Sequence, residues 1–550
     1  MSVSCANLDL NPPSSASSEN WYSTADEIRI SLNDFYRTYL YDMHTEYYFD
    51  RRCDDWAQRD QVYDFCNGSV TSTTSTMASY WLNSYKGISR ANRIIEAIDA
   101  REDAASFTTE KAEACFFRAF LYARLALLWG DVPFYIGSLS LEDAFAMGRT
   151  STATIYEQVY KDFAYAIENL PDSNTSTGIW RVNKYVAKSI KARLDINLKK
   201  WRDCADECKE IMDSGMYQLY YSTTDPKNSY GELAADKSMN SEFIWVIPYC
   251  YELGTSQTIK SWVLRTAGGN GVAQPSWDLL AAYDCTDGKG INESPLFDPK
   301  DPFKNRDPRC AMTFVVPGTT IYGVEYNPSP AAITVLKDGE PVKNKDTRVN
   351  DQYAAYAGTA LRKGARPEWR DPMYSDNPWI MIRYADVMLM YAEAKTELNE
   401  IDGSVLNAIN DVRARAYGVK RAEGGFPAVT ATDQATLRQL IRNERRVEFA
   451  WEGRRWFDVR RWGWLEKMYS HHYYGFPNAT DVKKYYNDGH WFWPETPVVD
   501  EYGFADFEPW TTKYGIQRYG YHVYNSKIEY FPIPDEDIKV CPNLTQNPGY

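Results

Sequence analysis

No Cys-x-x-Cys pair occurs among the ten cysteines of this 550-residue chain. Zinc-ligand spacing is missing too, which removes the common thiolate metal sites and the dithiol redox motif. Cys204 and Cys208 lie four apart on a stretch that reads as a helix, as expected of core thiols; a bridge between Cys53 and Cys66 stays open. Histidine is scarce, at five residues, and the adjacent His471 and His472 would point in different directions on a helix or strand and chelate poorly. Gly-x-Ser-x-Gly, Walker A and His-Glu-x-x-His motifs are missing, so serine-hydrolase, P-loop and zincin chemistry have no anchor. "DCTDGKGINES" has the look of a calcium loop but lacks the acid at its twelfth position. No metal or redox cofactor is implied. Positive charge is outweighed, with a net −14 that disfavours attraction to nucleic-acid phosphates or anionic lipid. No apolar run approaches the roughly 20 residues that cross a bilayer as a helix.

Aromatic residues are abundant instead. They make up 15% of the chain, with 42 Tyr and 18 Trp, in a composition 44% hydrophobic. That is ample for a large core, and Tyr and Trp suit surfaces that hold partly polar ligands. The N-terminus, "MSVSCANLDLNPPSSASSENW", sets small residues before Cys5 and a Ser/Pro-rich tether after it. It resembles the tail of a bacterial lipoprotein signal, with Cys5 as the lipid-bearing residue; the alternative is an ordinary disordered terminus.

Periodicity predicts helices over most of 21–220. A Thr24–Glu27 capping box opens the first, with Ile28, Leu32, Phe35 and Tyr39 at helical spacing. "TTEKAEACFFRAFLYARLALLWGD" sets Ala112, Phe116, Ala119, Ala123 and Ala126 on one stripe, and three more helices follow, the last closed by Gly215. Small alanines let helices approach closely, and units of this length are typical of tetratricopeptide-like hairpins. Residues 221–378 break the pattern with Pro, Gly and Asn clusters and short β-like runs such as "FIWVIPY" and "AAITVL". Helices return over 379–463, including one with Ser404 as N-cap and Gly418 past its end. Residues 464–550 read as an aromatic segment, whose 464–528 part is expected to be a packed cover.

"NERRVEFAWEGRRWFDVRRWG" (443–463) interleaves acids and arginines. On a helix, Glu444, Glu448 and Glu452 fall four apart on one face, with Arg445 and Arg455 within a turn, so ion pairs along the helix are expected. Nucleic-acid contact would need a basic face with few acids. Proton-transfer catalysis would need separated pKa values, whereas acids flanked by arginine stay ionised. The stretch therefore reads as a partly buried structural salt-bridge network.

These residues also carry a resemblance. "IRYADVMLMYAEA", "AINDVRARA", "LRQLIRNERRVEFAWEGRRWFDVRRWG" and the closing "FPIP…NLTQNPGY" resemble the C-terminal half of the SusD/RagB family of glycan-binding outer-membrane lipoproteins. "KAEACFFRAFLYARLALLWGDVPFY", "WRVNKYVAKSIKARLDINLKKW", "AAYDCTDGKG" and "NRDPRCAMTF" match its earlier portions, so the likeness runs through nearly the whole chain. It implies a mainly α fold in which tetratricopeptide-like hairpins pack against a less regular ligand-binding half, as one SusD-like domain over 21–550 behind a 1–20 tether. It also implies no catalytic activity, a lipid anchor on Cys5 at the outer membrane facing outwards, an oligosaccharide ligand and a SusC-like TonB-dependent transporter as partner.

Capture of a sugar without reaction needs ring faces for its C–H surfaces and polar groups for its hydroxyls. In the resembling family a tryptophan at the start of the second long helix often serves the platform, which points to Trp81, with Asn83 as a polar contact; a core Trp81 is the alternative. "CDDWAQRD" offers Asp54, Asp55 and Trp56, or else a solvated acidic loop. Trp277, Tyr283 and Cys285 are candidates in the middle region, beside a structural reading of that segment. Arg362, Arg366, Trp369 and Tyr374 cluster on a Pro/Gly-broken loop. Other functions stay open: a tetratricopeptide-type scaffold binding peptide or protein would use a concave helical groove, and a glycoside hydrolase would need two carboxylates across a cleft.

Overall fold

The computed structural model describes residues 21–22, 24–37, 40, 49–58, 66–173, 181–238, 240–371, 373–477 and 493–550. Cys5, the tether and Tyr39 lie outside the described residues, as do residues 478–492 of the 464–528 segment.

The first helix, α1 (Ala25–Asn33), opens on the expected capping box: the Thr24 hydroxyl accepts the Glu27 N–H and the Glu27 carboxylate accepts the Thr24 N–H. Five longer helices follow, α2 (Ser75–Asp99), α3 (Thr108–Trp129), α4 (Thr152–Asn169), α5 (Lys184–Asn197) and α6 (Trp201–Asp213). Each packs on the next along the chain. The alanine stripe of α3 is buried, and so are the large residues between, Phe116, Phe120, Tyr122 and Leu125. This helix is therefore clad nearly all round, its small residues admitting α2 and α4 closely. Gly215 closes α6 at φ +65°, a left-handed value that glycine takes without steric cost.

The stack continues across the irregular middle. α6 packs on α7 (Tyr384–Glu397), and α7 packs on α8 (Gly403–Ala416) and on α9 (Gln434–Glu448). One hydrophobic core accordingly runs from Ile28 to Leu544. Boundaries differ from expectation at three places. Asp402, not Ser404, caps α8, because its carboxylate accepts the Ser404 N–H. Residues Trp379–Arg383 form a strand rather than a helical turn: they pair antiparallel with Phe243–Ile247, the "FIWVIPY" run, and α7 starts only at Tyr384. And α9 stops at Glu448, with Trp451 in the left-handed region at φ +61°.

Between α6 and α7 the chain makes short strands: β4 (Ala273–Pro275), which pairs with β1 (Trp56–Gln58) from before α2, β2 (Phe243–Ile247) with β10 (Trp379–Arg383), β3 (Gln257–Thr258) with β9 (Tyr374–Ser375), and a four-stranded sheet β5–β8 over 320–343 that includes "TVL". A second core gathers Trp277, Tyr283, Trp493, Phe507 and Trp510. The described part of the C-terminal aromatic segment is thus a packed cover, as expected.

Candidate functional site

The site begins with the charges around α9. Glu448 is fully buried and faces three arginines from three other elements: Arg309 at 2.9 Å, Arg383 at 2.6 Å, and Arg415. Glu444 takes Arg309 at 2.6 Å and Arg413 at 2.8 Å. Glu452, though beyond the end of α9, joins the same seam through Arg383 at 2.9 Å and Lys363 at 2.6 Å. The network is structural, as the sequence indicated, but it is not built of pairs along one helix. Arg445 turns to Asp386 and Asp458, and Arg455 reaches Asp54 at 2.8 Å. Helical neighbours are easily solvated; these buried acids instead meet guanidiniums from distant segments, which cross-link the fold. Burial alone would raise the Glu448 carboxyl, yet Arg415, Arg383 and Arg309 hold it well below the usual carboxylate range.

Most of the expected platform residues are consumed by packing. Trp81 is 4% exposed, its ring 5.4 Å from Trp129 and 5.0 Å from Tyr85, with Asn83 half-buried beside it. Asp54 and Asp55 are buried, not solvated: Arg446 reaches them at 2.8 and 2.7 Å. Trp56 is buried and stacks on Trp451 at 4.0 Å. Trp277 lies in the second core, its indole N–H donating to the Ala357 carbonyl at 2.7 Å. Tyr283 is buried and donates to Thr313 at 2.9 Å, and the thiol of buried Cys285 is pushed up by burial. Half-buried Asn83 apart, these residues are covered, each where two layers of the fold meet.

The donor atoms of Cys53, Asp54 and Asp55 lie within 4.8 Å of one another, the geometry of a metal cage. The residues do not fit one. Arg446 and Arg455 already occupy the carboxylates, and burial pushes the Cys53 thiol well up, so it stays protonated.

The remaining loop does build a cavity. A cleft of about 100 Å³ is walled by four tryptophans, Trp262, Trp369, Trp379 and Trp451, with Lys363 and Asn377 among its polar lining. Trp262 and Trp379 are half-buried, while Trp369 and Trp451 form the deeper wall. Trp379 is the first residue of β10, and Trp451, three residues past the end of α9, is held at a positive φ; a non-glycine residue held there is strained and persists because its surroundings fix it. Ser375 lines the cleft from β9. Its neighbour Tyr374 faces the other side of that strand, 44% exposed, 6.0 Å from the 51% exposed Tyr251. Arg366 bonds the Ala235 carbonyl at 2.8 Å and Arg362 the Ala311 carbonyl at 2.9 Å, and neither lines the cleft.

Of the residues singled out in the sequence, the structure thus brings Trp369 into the cleft, Trp56 behind its wall and Tyr374 one residue along the strand from it. Trp262, Trp379, Trp451, Lys363, Asn377 and Tyr251 were missed. The available signals were Trp379 directly after Pro378, and a tryptophan two residues before Gly453, each a chain reversal that leaves a large ring at an element's end.

Two further recesses exist. One, of about 70 Å³, opens between α3, α5 and α7, with Arg193 and Arg445 clamping Asp386. The other, of about 270 Å³, holds Asp284, pushed up to about 7 by burial, and its Trp464 ring is covered by Arg442 at 4.6 Å and Tyr502 at 5.2 Å.

A model described as the SusD family matches residues 241–550, more than half of the chain. The chain belongs to the SusD family. A second SusD-like model, described as starch-binding and associating with the outer membrane, matches residues 7–196. The chain is 28% identical to SusD-like protein P25 of Formosa agariphila over 76% of each protein. It is 23% identical to a SusD-like protein of Bacteroides ovatus, over 88% of this chain and 83% of that one. A solved SusD-like carbohydrate binding protein from Bacteroides fragilis superposes with a TM-score of 0.78 at 26% identity, covering 95% of this SusD-family chain and 99% of the other.

Proposed function

We propose that this SusD-family protein captures an oligosaccharide without altering it and passes it to a SusC-like TonB-dependent transporter, held to the outer membrane by lipid on Cys5 and facing outwards. The observation that carries the reading is the tryptophan cleft: four tryptophans line one cavity, and two of them, Trp262 and Trp379, are only half-buried, which suits stacking on a sugar's C–H face. The exposed Tyr251–Tyr374 pair supplies an outer contact for a longer chain. The second matching model's description, starch-binding and associating with the outer membrane, and the carbohydrate-binding relative from Bacteroides fragilis support it.

Hydrolysis of a glycosidic bond calls for two carboxylates flanking it. Among the described residues lining the cleft, Glu452 is the one carboxylate, and Arg383 and Lys363 hold it ionised below its ordinary range despite burial. That suits anchoring, not proton donation. A peptide-binding scaffold would use a long concave helical groove, and the crevice between α3, α5 and α7 is the smaller cavity, with its arginines already engaged.

Affinity electrophoresis through gels containing neutral polysaccharides tests the reading. Retardation by at least one, lost in a folded Trp379→Ala variant, is expected; product release from any of them on incubation would overturn it in favour of catalysis. Loss of membrane association in Cys5→Ala and co-purification with a TonB-dependent transporter test the anchor and the delivery step.

A further inference from the structure

We propose that the tryptophan cleft selects uncharged saccharides and rejects those bearing carboxylate or sulfate groups. This rests on the glycan reading above and adds the class of sugar.

The charges in the cleft wall are spent on one another. Lys363 and Glu452 are its described charged residues, and they pair at 2.6 Å. The Lys363 ammonium has three N–H donors; beyond Glu452 it reaches the Ala450 carbonyl at 2.8 Å and the Glu448 carbonyl at 3.4 Å. Both Glu452 oxygens in turn accept from Arg383, each at 2.9 Å. An anionic sugar group entering here would find no uncommitted cation. To recruit Lys363 it would have to displace Glu452 and settle beside that carboxylate in a space shielded from water, where like charges repel strongly. An amino sugar meets the converse obstacle, since Glu452 already accepts from Lys363 and twice from Arg383.

The uncommitted polar atoms are neutral. The indole N–H of Trp369 and the side-chain oxygen of Asn377 are buried without a partner. The Asn377 amide orientation is fixed, because its NH₂ donates to the Ala234 and Gly364 carbonyls at 3.0 and 3.1 Å. One spare donor and one spare acceptor match hydroxyl groups, which both give and take a proton. Carboxylates and sulfates only accept, so they would leave the Asn377 oxygen facing another oxygen.

Around the cleft the same economy holds. Lys237 pairs with Asp376 at 2.5 Å, and Arg366 with Glu368 at 3.3 Å, next to lining residues Asn377 and Gly364. The net −14 of the chain adds a long-range repulsion against polyanions.

The test uses the full chain in affinity gels with amylopectin, a mixed-linkage β-glucan, galactomannan and arabinoxylan, each beside its own carboxymethylated derivative, with polygalacturonate and alginate added. The derivative of whichever neutral polymer binds is expected to be retained about tenfold more weakly. The gap should persist at high salt, where long-range repulsion is screened. Equal or tighter retention of a charged polymer overturns the inference and leaves glycan capture standing, as does a gap that vanishes in salt. Unchanged retention by a folded Trp379→Ala variant moves the binding away from this cleft and also overturns the inference. If no polymer is retained in either form, the glycan reading itself falls, and the inference with it.

Discussion

Two neighbouring regions use the same ingredients, aromatic rings and opposite charges, to different ends. In the seam around α9, every acid meets a cation from a distant segment and the rings fill space: Glu448 gathers Arg309, Arg383 and Arg415, and Trp456 is fully buried. In the cleft, a few residues away, the charges are silenced in pairs but Trp262 and Trp379 are only half-buried. Glu452 belongs to both regions. The contrast teaches that abundance of tryptophan does not mark a binding surface. What sets the proposed binding cleft apart is tryptophans left only half-buried, with Trp379 at the first position of β10.

The strongest way to break the comparison is to disable the seam. Glu448→Ala leaves three buried guanidiniums short of a partner and is expected to cost about 3–5 kcal/mol, read by urea unfolding; wild-type stability with selective loss of binding would assign Glu448 to the site instead. Trp81→Ala comes next, a buried cavity expected to cost about 3–5 kcal/mol, with retention by a bound polysaccharide unchanged in the protein that folds. Trp379→Ala reverses the pattern: a small change in melting temperature, and about tenfold or greater loss of retention. Acidification sharpens the seam's side. The Glu448 and Asp386 carboxyls are held below their ordinary range, so their contribution is present at neutral pH and lost as pH falls; melting temperature should drop once pH is below about 4.5, the ordinary glutamate value. The smallest effect is expected for Tyr374→Ala or Tyr251→Ala, about threefold each on retention of a long chain and none on a short oligosaccharide.

The helical frame was legible because α2–α6 bury regular stripes, and such periodicity is a local property of sequence. The role of residues 443–463 was legible from acids alternating with arginines. Their partners were not, since Arg309, Arg383 and Arg415 lie 139, 65 and 33 residues from Glu448 and leave no periodic trace. The candidate cleft was legible at Trp369, where Pro and Gly break the chain, while Tyr374 lies one residue along the strand from it. Trp81 and Trp277 carry the same residue type at helix starts yet are covered by layers formed from residues far along the chain. Trp379 was hidden by reading β10 as helix, Trp451 by extending α9 past Glu448.

The pinning of residues 50–55 has a consequence for the order of events. Asp54 is clamped by Arg455, 401 residues later, and the Asp50 carboxylate accepts the Gly453 N–H across 403 residues. The Trp129 indole likewise donates to Pro532. A ribosome delivers these partners last, so the early helices wait with their ends untied until the tail emerges. Closure over some four hundred residues makes folding slow and late, and a C-terminal truncation that removes these partners leaves every one of the three ties unmade.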